Sequence, residues 1–365
     1  MAREGRALTA VDLFCGAGGL SLGLKRAGFK VVVAVEIDKE LAKTYKANHR
    51  HTHLLVRDVS GLTGRDILRA SKSRRIDMVV GCPPCQGFSS LTAKWKAEDP
   101  RNRLVLEMAR IIEELEPRAV MMENVPGLAT RGKGLLAEFV ARLASRGYIV
   151  NCRILQLADY GVPQTRRRLV LLAGKGFAIA FPRQTHSREG SHTKRLKPWR
   201  TLADAIRGMA EPVQLSKAKR TKGPRGFDWH VVSDLASVSL ERLQALGPGS
   251  GRTDLPRALR PKCHAKSNEG FENVYGRLSW HQPAPTITAG FTAPAMGRFG
   301  HPTQLRTISV REAALIQTFP RRYRLDTQFL GKACALVGNA LPPRFAEAVS
   351  LSCASALRAE RNDAL

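Results

Sequence analysis

Cys85 follows two prolines, Pro83 and Pro84, which in turn follow an apolar run over residues 76–80. The run reads as a buried strand. The prolines fix the backbone dihedral and withhold ladder N–H groups, so the strand must end there. A thiol at a rigid strand end, ahead of a polar loop containing Gly and Lys, is placed as a nucleophile under a lid. Cys82-x-x-Cys85 also has the spacing of half a zinc site or of a dithiol redox pair. Zinc needs a second ligand pair, and Cys263-His264, adjacent to one another, supplies a poor one. A dithiol motif opens a helix, whereas Gln86, Gly87, Phe88 and two serines follow here. A single nucleophilic cysteine is the better reading.

A second set of residues suits a nucleoside. Asp12-Leu13-Phe14-Cys15-Gly16-Ala17-Gly18-Gly19 couples a short strand to a glycine turn and a helix closed by Gly28. That is the nucleotide-site opening of a doubly wound sheet, although Ser21 stands where a dinucleotide fingerprint needs its third glycine. Val31 to Val35 ends in Glu36, the place where a ribose diol is held. Residues 54–59 read as a third strand carrying Asp58, a carboxylate able to accept from an exocyclic adenine amine. Each acid alone could be a helix cap. Phe14, Glu36 and Asp58 at three successive strand ends make a nucleoside pocket the stronger reading.

These side chains require a sheet to hold them. Residues 119–122 form the next expected strand, with Glu123 at its end, in the crevice where such sheets collect ligands. Leu104, Met108, Ile111, Ile112 and Leu115 recur at helical spacing and predict a core-packing helix. Residues 149–156 and 168–173 read as further strands, separated by Gln164-Thr165-Arg166-Arg167-Arg168. A basic run is usually a solvated face or a phosphate contact. Alternation along a strand would instead turn Gln164, Arg166 and Arg168 one way, toward the site. Ser309 with Glu312 has capping-box spacing for a helix over residues 310–319, and residues 344–357 predict a final helix packing Phe345, Ala348 and Val349 on the larger domain.

The composition has 59 Lys and Arg against 31 Asp and Glu, a formal charge of +28 over 365 residues. Nucleic acid is the natural polyanionic partner. Aromatic residues make up only 6% of the chain, which disfavours a stacking platform for single strands. No stretch is long and apolar enough to span a bilayer, and no signal-peptide core opens the chain, so a cytoplasmic location without membrane attachment is expected. Seven scattered cysteines fit reduced thiols. Residues 186–225, rich in Lys, Arg, Pro and Gly, mark entry into a second, smaller domain for phosphate contact and base reading.

In this order, the Asp12–Gly19 segment, Pro83-Pro84-Cys85-Gln86-Gly87-Phe88-Ser89, Glu123-Asn124-Val125, Gln164-Thr165-Arg166-Arg167-Arg168, the stretch from Arg306 to Ala314 and Gly338-Asn339-Ala340-Leu341-Pro342-Pro343 resemble the DNA (cytosine-5)-methyltransferases. The likeness covers nearly the whole chain. One departure is Cys82, where that family commonly has Gly. The resemblance implies an α/β fold: a doubly wound mixed sheet of the S-adenosylmethionine-dependent methyltransferase type with an inserted target-recognition domain. The expected division is residues 1–184 catalytic, 185–332 target recognition, and 333–365 a helix returning to the catalytic domain.

The resemblance also implies roles. Cys85 adds to carbon 6 of cytosine, which turns the ring into an enamine able to take a methyl group at carbon 5. A free thiol titrates near ~8.5, so Cys85 needs positive surroundings, and Arg166 and Arg168 can supply them. Glu123 meets the charge at N3, and can donate only when protonated or sharing a proton. Phe14 stacks on the cofactor adenine, Glu36 holds the ribose and Asp58 faces the amine. Gly16, Gly18, Val59, Pro84 and Asn339 complete the S-adenosylmethionine site. The target base must leave the stack, and residues 86–103 are the natural lid for that event. Double-stranded DNA is the expected substrate for a monomeric enzyme, with a cognate restriction endonuclease acting on the same site as a further expected partner. An RNA cytosine-5 methyltransferase is the alternative enzyme, but the Cys-Phe-Thr signature of that branch is absent. A DNA-binding protein on an inactive methyltransferase fold is the non-enzymatic alternative, and intact Cys85, Glu123, Arg166 and Arg168 count against it.

Overall fold

The structure is a computed structural model and describes residues 7–84, 86–88, 99–261 and 272–363. Apolar runs of β-branched residues pair into one seven-stranded sheet. Its strands are β1 (Thr9–Leu13), β2 (Lys30–Val35), β3 (His53–Leu55), β4 (Met78–Gly81), β5 (Ala119–Asn124), β6 (Tyr148–Gln156) and β8 (Arg167–Lys175); a two-residue strand, β7 (Gln164–Thr165), precedes β8 but belongs elsewhere. The order is β3-β2-β1-β4-β5-β8-β6. The first five strands pair in parallel, and β8 runs antiparallel to both β5 and β6. The winding reverses between β1 and β4, so their carboxyl ends open the crevice in which such sheets bind ligands.

Parallel strands buried on both faces read as continuous apolar runs, and β1, β4 and β5 are buried throughout. Their side chains join Ile67, Met108, Ile111, Ile112, Phe139 and Leu143 in the main core. Those residues come from α3 (Gly64–Ser71), α4 (Leu104–Leu115) and α5 (Lys133–Ala144); α1 (Gly19–Arg26) and α2 (Lys39–Asn48) follow β1 and β2, and Tyr45 of α2 packs in a separate cluster with Cys15 and Ala34.

The chain divides into two compact units. The first comprises Met1–Tyr160, Arg167–Gln184 and Leu341–Leu365; the second comprises Gly161–Arg166 and Thr185–Ala340. The C-terminal helix, Pro343–Asp363, is longer than the 344–357 expected from sequence. It packs on α1 so closely that a Cβ on Gly23 would collide with Ala346, so glycine is required by contact there. Within the second unit, β7 pairs with Ala284–Pro285. Trp229, Phe291 and Phe299 fill its interior, where the buried Arg277 guanidinium donates to the carbonyls of Leu243, His301 and Pro302. Ser309 caps the helix Val310–Ile316 in a capping box with Glu312, as its spacing predicts, but the helix stops three residues short of 319. Among the described residues no helix is long and apolar enough to cross a membrane.

Candidate active site

The turn after β1 is built by left-handed backbone. Phe14 (φ 61°), Gly16 (φ 51°) and Gly18 (φ 85°) reverse the chain within five residues, and Gly18 N donates to Cys15 O at 2.8 Å before α1 starts. A non-glycine residue at positive φ is strained, and such strain concentrates where a side chain must be aimed. Phe14 is half-buried at that position. Glu36, at the end of β2, is locked onto the same turn. Its Oε2 accepts from Gly16 N at 2.9 Å and its Oε1 from Asp38 N at 2.8 Å. Burial raises its pKa, against the lowering effect of those two amides. The space in front of Gly16 is open: an added Cβ would meet nothing within 4 Å.

Asp58 departs from its expected place. The third strand ends at Leu55, so Asp58 is a loop residue whose Oδ1 accepts from Ser60 N at 3.0 Å. It is exposed, and Val59 beside it is buried. The apolar run overstates the strand because β2, its hydrogen-bonding partner, pairs no further than Val35 with Leu55. Ile37, which sequence reasoning passed over, is 64% exposed immediately after Glu36. An apolar residue directly following an acidic strand end was the available signal for a surface that a base could cover.

Beneath the turn lies a buried polar network. Asp12 Oδ2 accepts from Ser21 Oγ at 2.6 Å, Ser21 Oγ meets Tyr45 Oη at 2.7 Å, and Lys25 Nζ lies 2.9 Å from His49 Nδ1. Asp12 Oδ1 is buried with no hydrogen-bond partner among the described residues. Burial pushes the Asp12 carboxyl from 3.8 up to about 7, and burial holds His49 neutral with its pKa near 3. A folded-state pKa above the unfolded one means the native protein binds more protons, so this stability is full below pH 3.8 and is lost as pH rises through 7. Asp12→Asn keeps an acceptor for Ser21 and removes the ionisation. Its stability relative to wild type should therefore rise by about 3 kcal/mol between pH 5 and pH 8, read from urea unfolding. A pH-independent difference would refute the burial argument.

The reactive side of the crevice is assembled from β4, β5 and β8. Gly81 pairs with Met122, so the next residues along, Cys82 and Glu123, lie level at neighbouring carboxyl ends. Glu123 is 6% exposed and its Oε1 lies 2.8 Å from Arg168 Nε. Arg168 Nη1 donates to its neighbour Arg167 O at 2.8 Å. Desolvation first, with the nearby Glu123 and Asp12 carboxylates adding, pushes the Cys82 thiol well above its ordinary range. A thiol so raised is a poor nucleophile.

Asn124, the last residue of β5, has a structural role that its neighbours in sequence do not announce. Its Nδ2 donates to Pro83 O at 3.1 Å while its Oδ1 accepts from Val125 N at 2.8 Å, tying the Pro83-Pro84 turn to β5. Pro83 is buried and Pro84 half-buried. Phe88 O accepts from Arg131, and a Cβ on Gly127 would clash with that same carbonyl. Cys85 and residues 89–98 of the expected lid lie outside the described residues, as does Cys263-His264. Among the described residues no group of three or more His, Cys, Asp or Glu could hold a metal ion.

Gln164, Arg166 and Arg168 do not share one strand face. The chain changes sheet at Arg166, so strand alternation fails across it. Gln164 Nε2 donates to Gln317 Oε1 at 2.7 Å, and Arg166 Nη1 donates to Ile287 O at 2.9 Å and Gly338 O at 3.1 Å, all within the second unit. Only Arg168 joins Glu123. Asn339 caps the helix Leu330–Gly338 in the second unit, so the 332/333 boundary expected from sequence differs from the observed 340/341 division.

Known proteins resemble this chain in sequence and architecture. The family profile of C-5 cytosine-specific DNA methylases matches residues 8–355. The Type II methylase M.HgiDII of Herpetosiphon aurantiacus is 36% identical over 347 residues, covering 94% of both chains. The Type II methyltransferase M.XorII of Xanthomonas oryzae is 33% identical, covering 95% of this chain and 85% of its own. A solved structure of a candidate DNA modification methyltransferase encoded within an E. coli prophage superposes with a TM-score of 0.71 at 25% identity, over 96% of this chain and all of that one. DNMT2 of Spodoptera frugiperda shares the fold, with a TM-score of 0.64 at 19% identity over 95% and 99% of the two chains.

Proposed function

The chain belongs to the C-5 cytosine-specific DNA methylase family, and from that membership we propose that it transfers a methyl group from S-adenosylmethionine to carbon 5 of a cytosine swung out of double-stranded DNA, through a covalent bond from Cys85. The observation that carries the reading is the ion pair of buried Glu123 with half-buried Arg168, next to the Asn124 that ties Pro83, two residues before Cys85, to the same strand end. An acid held by a cation beside a constrained thiol-bearing turn suits a reaction that adds sulfur to one ring position and meets charge at another.

The residues around the first turn fit the cofactor. Glu36 is oriented by two backbone amides, open space faces Gly16, and Asp58 presents an exposed carboxylate. Anionic and aromatic groups suit a nucleoside that carries a cation. Glu36 would hold the ribose diol, Phe14 and Ile37 would cover the adenine, and Asp58 with Val59 would meet its amine edge; Pro84 and Asn339 are assigned to the same site by resemblance. When bound, S-adenosylmethionine supplies an electrophilic methyl group. Glu36→Ala should weaken its binding at least tenfold, because two charge-assisted hydrogen bonds are lost. Calorimetry giving an unaltered affinity would count against this pocket.

Cys85 Sγ forms the bond to carbon 6, and ring electrons move toward carbon 5 and N3. Glu123 faces N3 as donor, with Arg168 keeping its carboxyl at the end of β5. Loss of the carbon-5 proton after methylation lets the ring electrons expel Sγ and regenerate the thiolate. Arg166, bound to carbonyls of the second unit, contributes positive charge by resemblance. Base reading is assigned to residues 186–305, where the basic, Pro- and Gly-rich stretch begins, and residues 86–103 close over the flipped base. The Type II relatives suggest a cognate endonuclease cutting the same site, and the enzyme is proposed to act as a cytoplasmic monomer. Bisulfite sequencing of DNA from a methylation-deficient host expressing the protein should reveal protected cytosines in one sequence context. Unprotected DNA alongside newly methylated cytosine in RNA would move the activity to the other polymer.

A further inference from the structure

The two ends of the parallel strands differ in charge. Glu36 follows β2, Asp58 lies beyond β3, and Glu123 stands at the carboxyl end of β5. At the opposite end Lys30 opens β2, Arg50 and His51 lead toward His53, the first residue of β3, and Lys72 closes α3. These five side chains, all exposed, surround one depression of about 310 Å³ whose remaining lining is uncharged. Among the described residues no carboxylate forms an ion pair with any of them. Lys72 holds φ 54° at the helix C-cap, a left-handed position that glycine takes without strain. Arg74 and Arg75, also exposed, precede β4 at the same end of the sheet.

Like charges gathered without counter-charges repel one another and weaken the compact state, an effect that a bound polyanion reverses. Lys30 and Glu36 are six positions apart, roughly 20 Å along a strand, at ends of the sheet that face away from each other. We infer that this depression is a second DNA site, where the basic end of the sheet holds phosphates of a duplex segment other than the one presenting its base to Glu123. This rests on the action on double-stranded DNA proposed above. The cations come from separate turns spread over adjacent strand ends, which suits a repeating line of phosphates better than one enclosed anion. Guanidinium, ammonium and imidazole N–H groups all donate to phosphate oxygens, and such contacts hold DNA without reading its sequence. A protein that keeps one segment while its other site samples a second can move along long DNA without leaving it.

The test captures the protein on bead-bound plasmid DNA and then adds a short labelled duplex at low salt. Wild type should retain the duplex, less so as salt rises. Lys30→Glu/Arg50→Glu/Lys72→Glu should retain at least about tenfold less per captured protein. The neutral set Lys30→Gln/Arg50→Gln/Lys72→Gly relieves the strained backbone, keeps the test open should the first set fail to fold, and should lower the salt slope of retention by about 2–3. Both sets should leave kcat on a short duplex carrying the methylated site within about twofold of wild type, while methylation of dilute plasmid slows about three- to tenfold. Arg146→Glu/Arg153→Glu/Arg183→Glu makes the same change in net charge on the β6 side, the opposite edge of the sheet, and should retain the duplex as wild type does. Unchanged retention in the first two sets, or equal loss in the third, would overturn the inference. Wild-type beads that take up labelled polyglutamate but no duplex would also overturn it, giving the patch to an acidic protein surface. A wild type that methylates no DNA removes the proposed function alone, because retention of the second duplex is read without turnover.

Discussion

DNA in which cytosine is replaced throughout by 5-fluorocytosine traps this chain as a covalent complex that survives denaturing electrophoresis. That is the expected result, and it should require S-adenosylmethionine. The physical reason lies in the last step. Fluorine cannot leave carbon 5 as a cation, so elimination stalls after methyl transfer and the sulfur–carbon bond persists. Cys85→Ala should abolish the complex completely, because no other group replaces the lost sulfur. Cys82→Gly should still form it, even if more slowly, since the Cys82 thiol is held protonated by burial and by Glu123. Trapping lost in the Cys82 variant yet retained in Cys85→Ala would mean that the nucleophile has been assigned to the wrong end of the motif.

The second large effect is expected at Glu123. Glu123→Gln keeps a hydrogen-bonding group of the same size beside Arg168 but cannot ionise or pass a proton. Groups that meet developing charge typically account for roughly 10²–10³ in rate, and kcat should fall by about that factor while cofactor affinity holds. Single-turnover methyl transfer measures the first and calorimetry the second. Glu123→Ala is a less informative variant. It leaves Arg168, half-buried and with its pKa lowered by desolvation, without its carboxylate. Breaking a buried pair from one side costs about 3–5 kcal/mol, so lost activity there could reflect lost folding. A Gln variant within threefold of wild type would show that Glu123 meets no charge in the rate-limiting step.

Both predictions concern side chains whose types were legible in sequence and whose partnership was not. The prolines before Cys85, the Gly16 and Gly18 turn and the Ser309–Glu312 box obey rules that act over a few residues. Missing N–H groups, positive φ and capping geometry need no knowledge of the rest of the chain. The apolar runs were equally legible, because a strand buried on both faces must be apolar throughout. Together they carried the doubly wound sheet and most candidate residues.

Where those rules stopped, the sequence reading went wrong or fell silent. Residues 54–59 looked like one strand, yet a strand lasts only as long as its neighbour offers hydrogen bonds, and β2 offers none to Asp58. Gln164, Arg166 and Arg168 looked like one face, yet the chain changes sheet between the first and the last. The tie from Asn124 to Pro83 spans 41 positions, and the docking of Ala346 on Gly23 spans most of the chain. By itself the sequence determined which residues could react and which local turns would present them. Only the tertiary structure decided that Arg168, rather than Arg166, holds Glu123. Strand order and register set that choice, and both are fixed by the burial of whole apolar faces, a long-range effect that no short motif encodes.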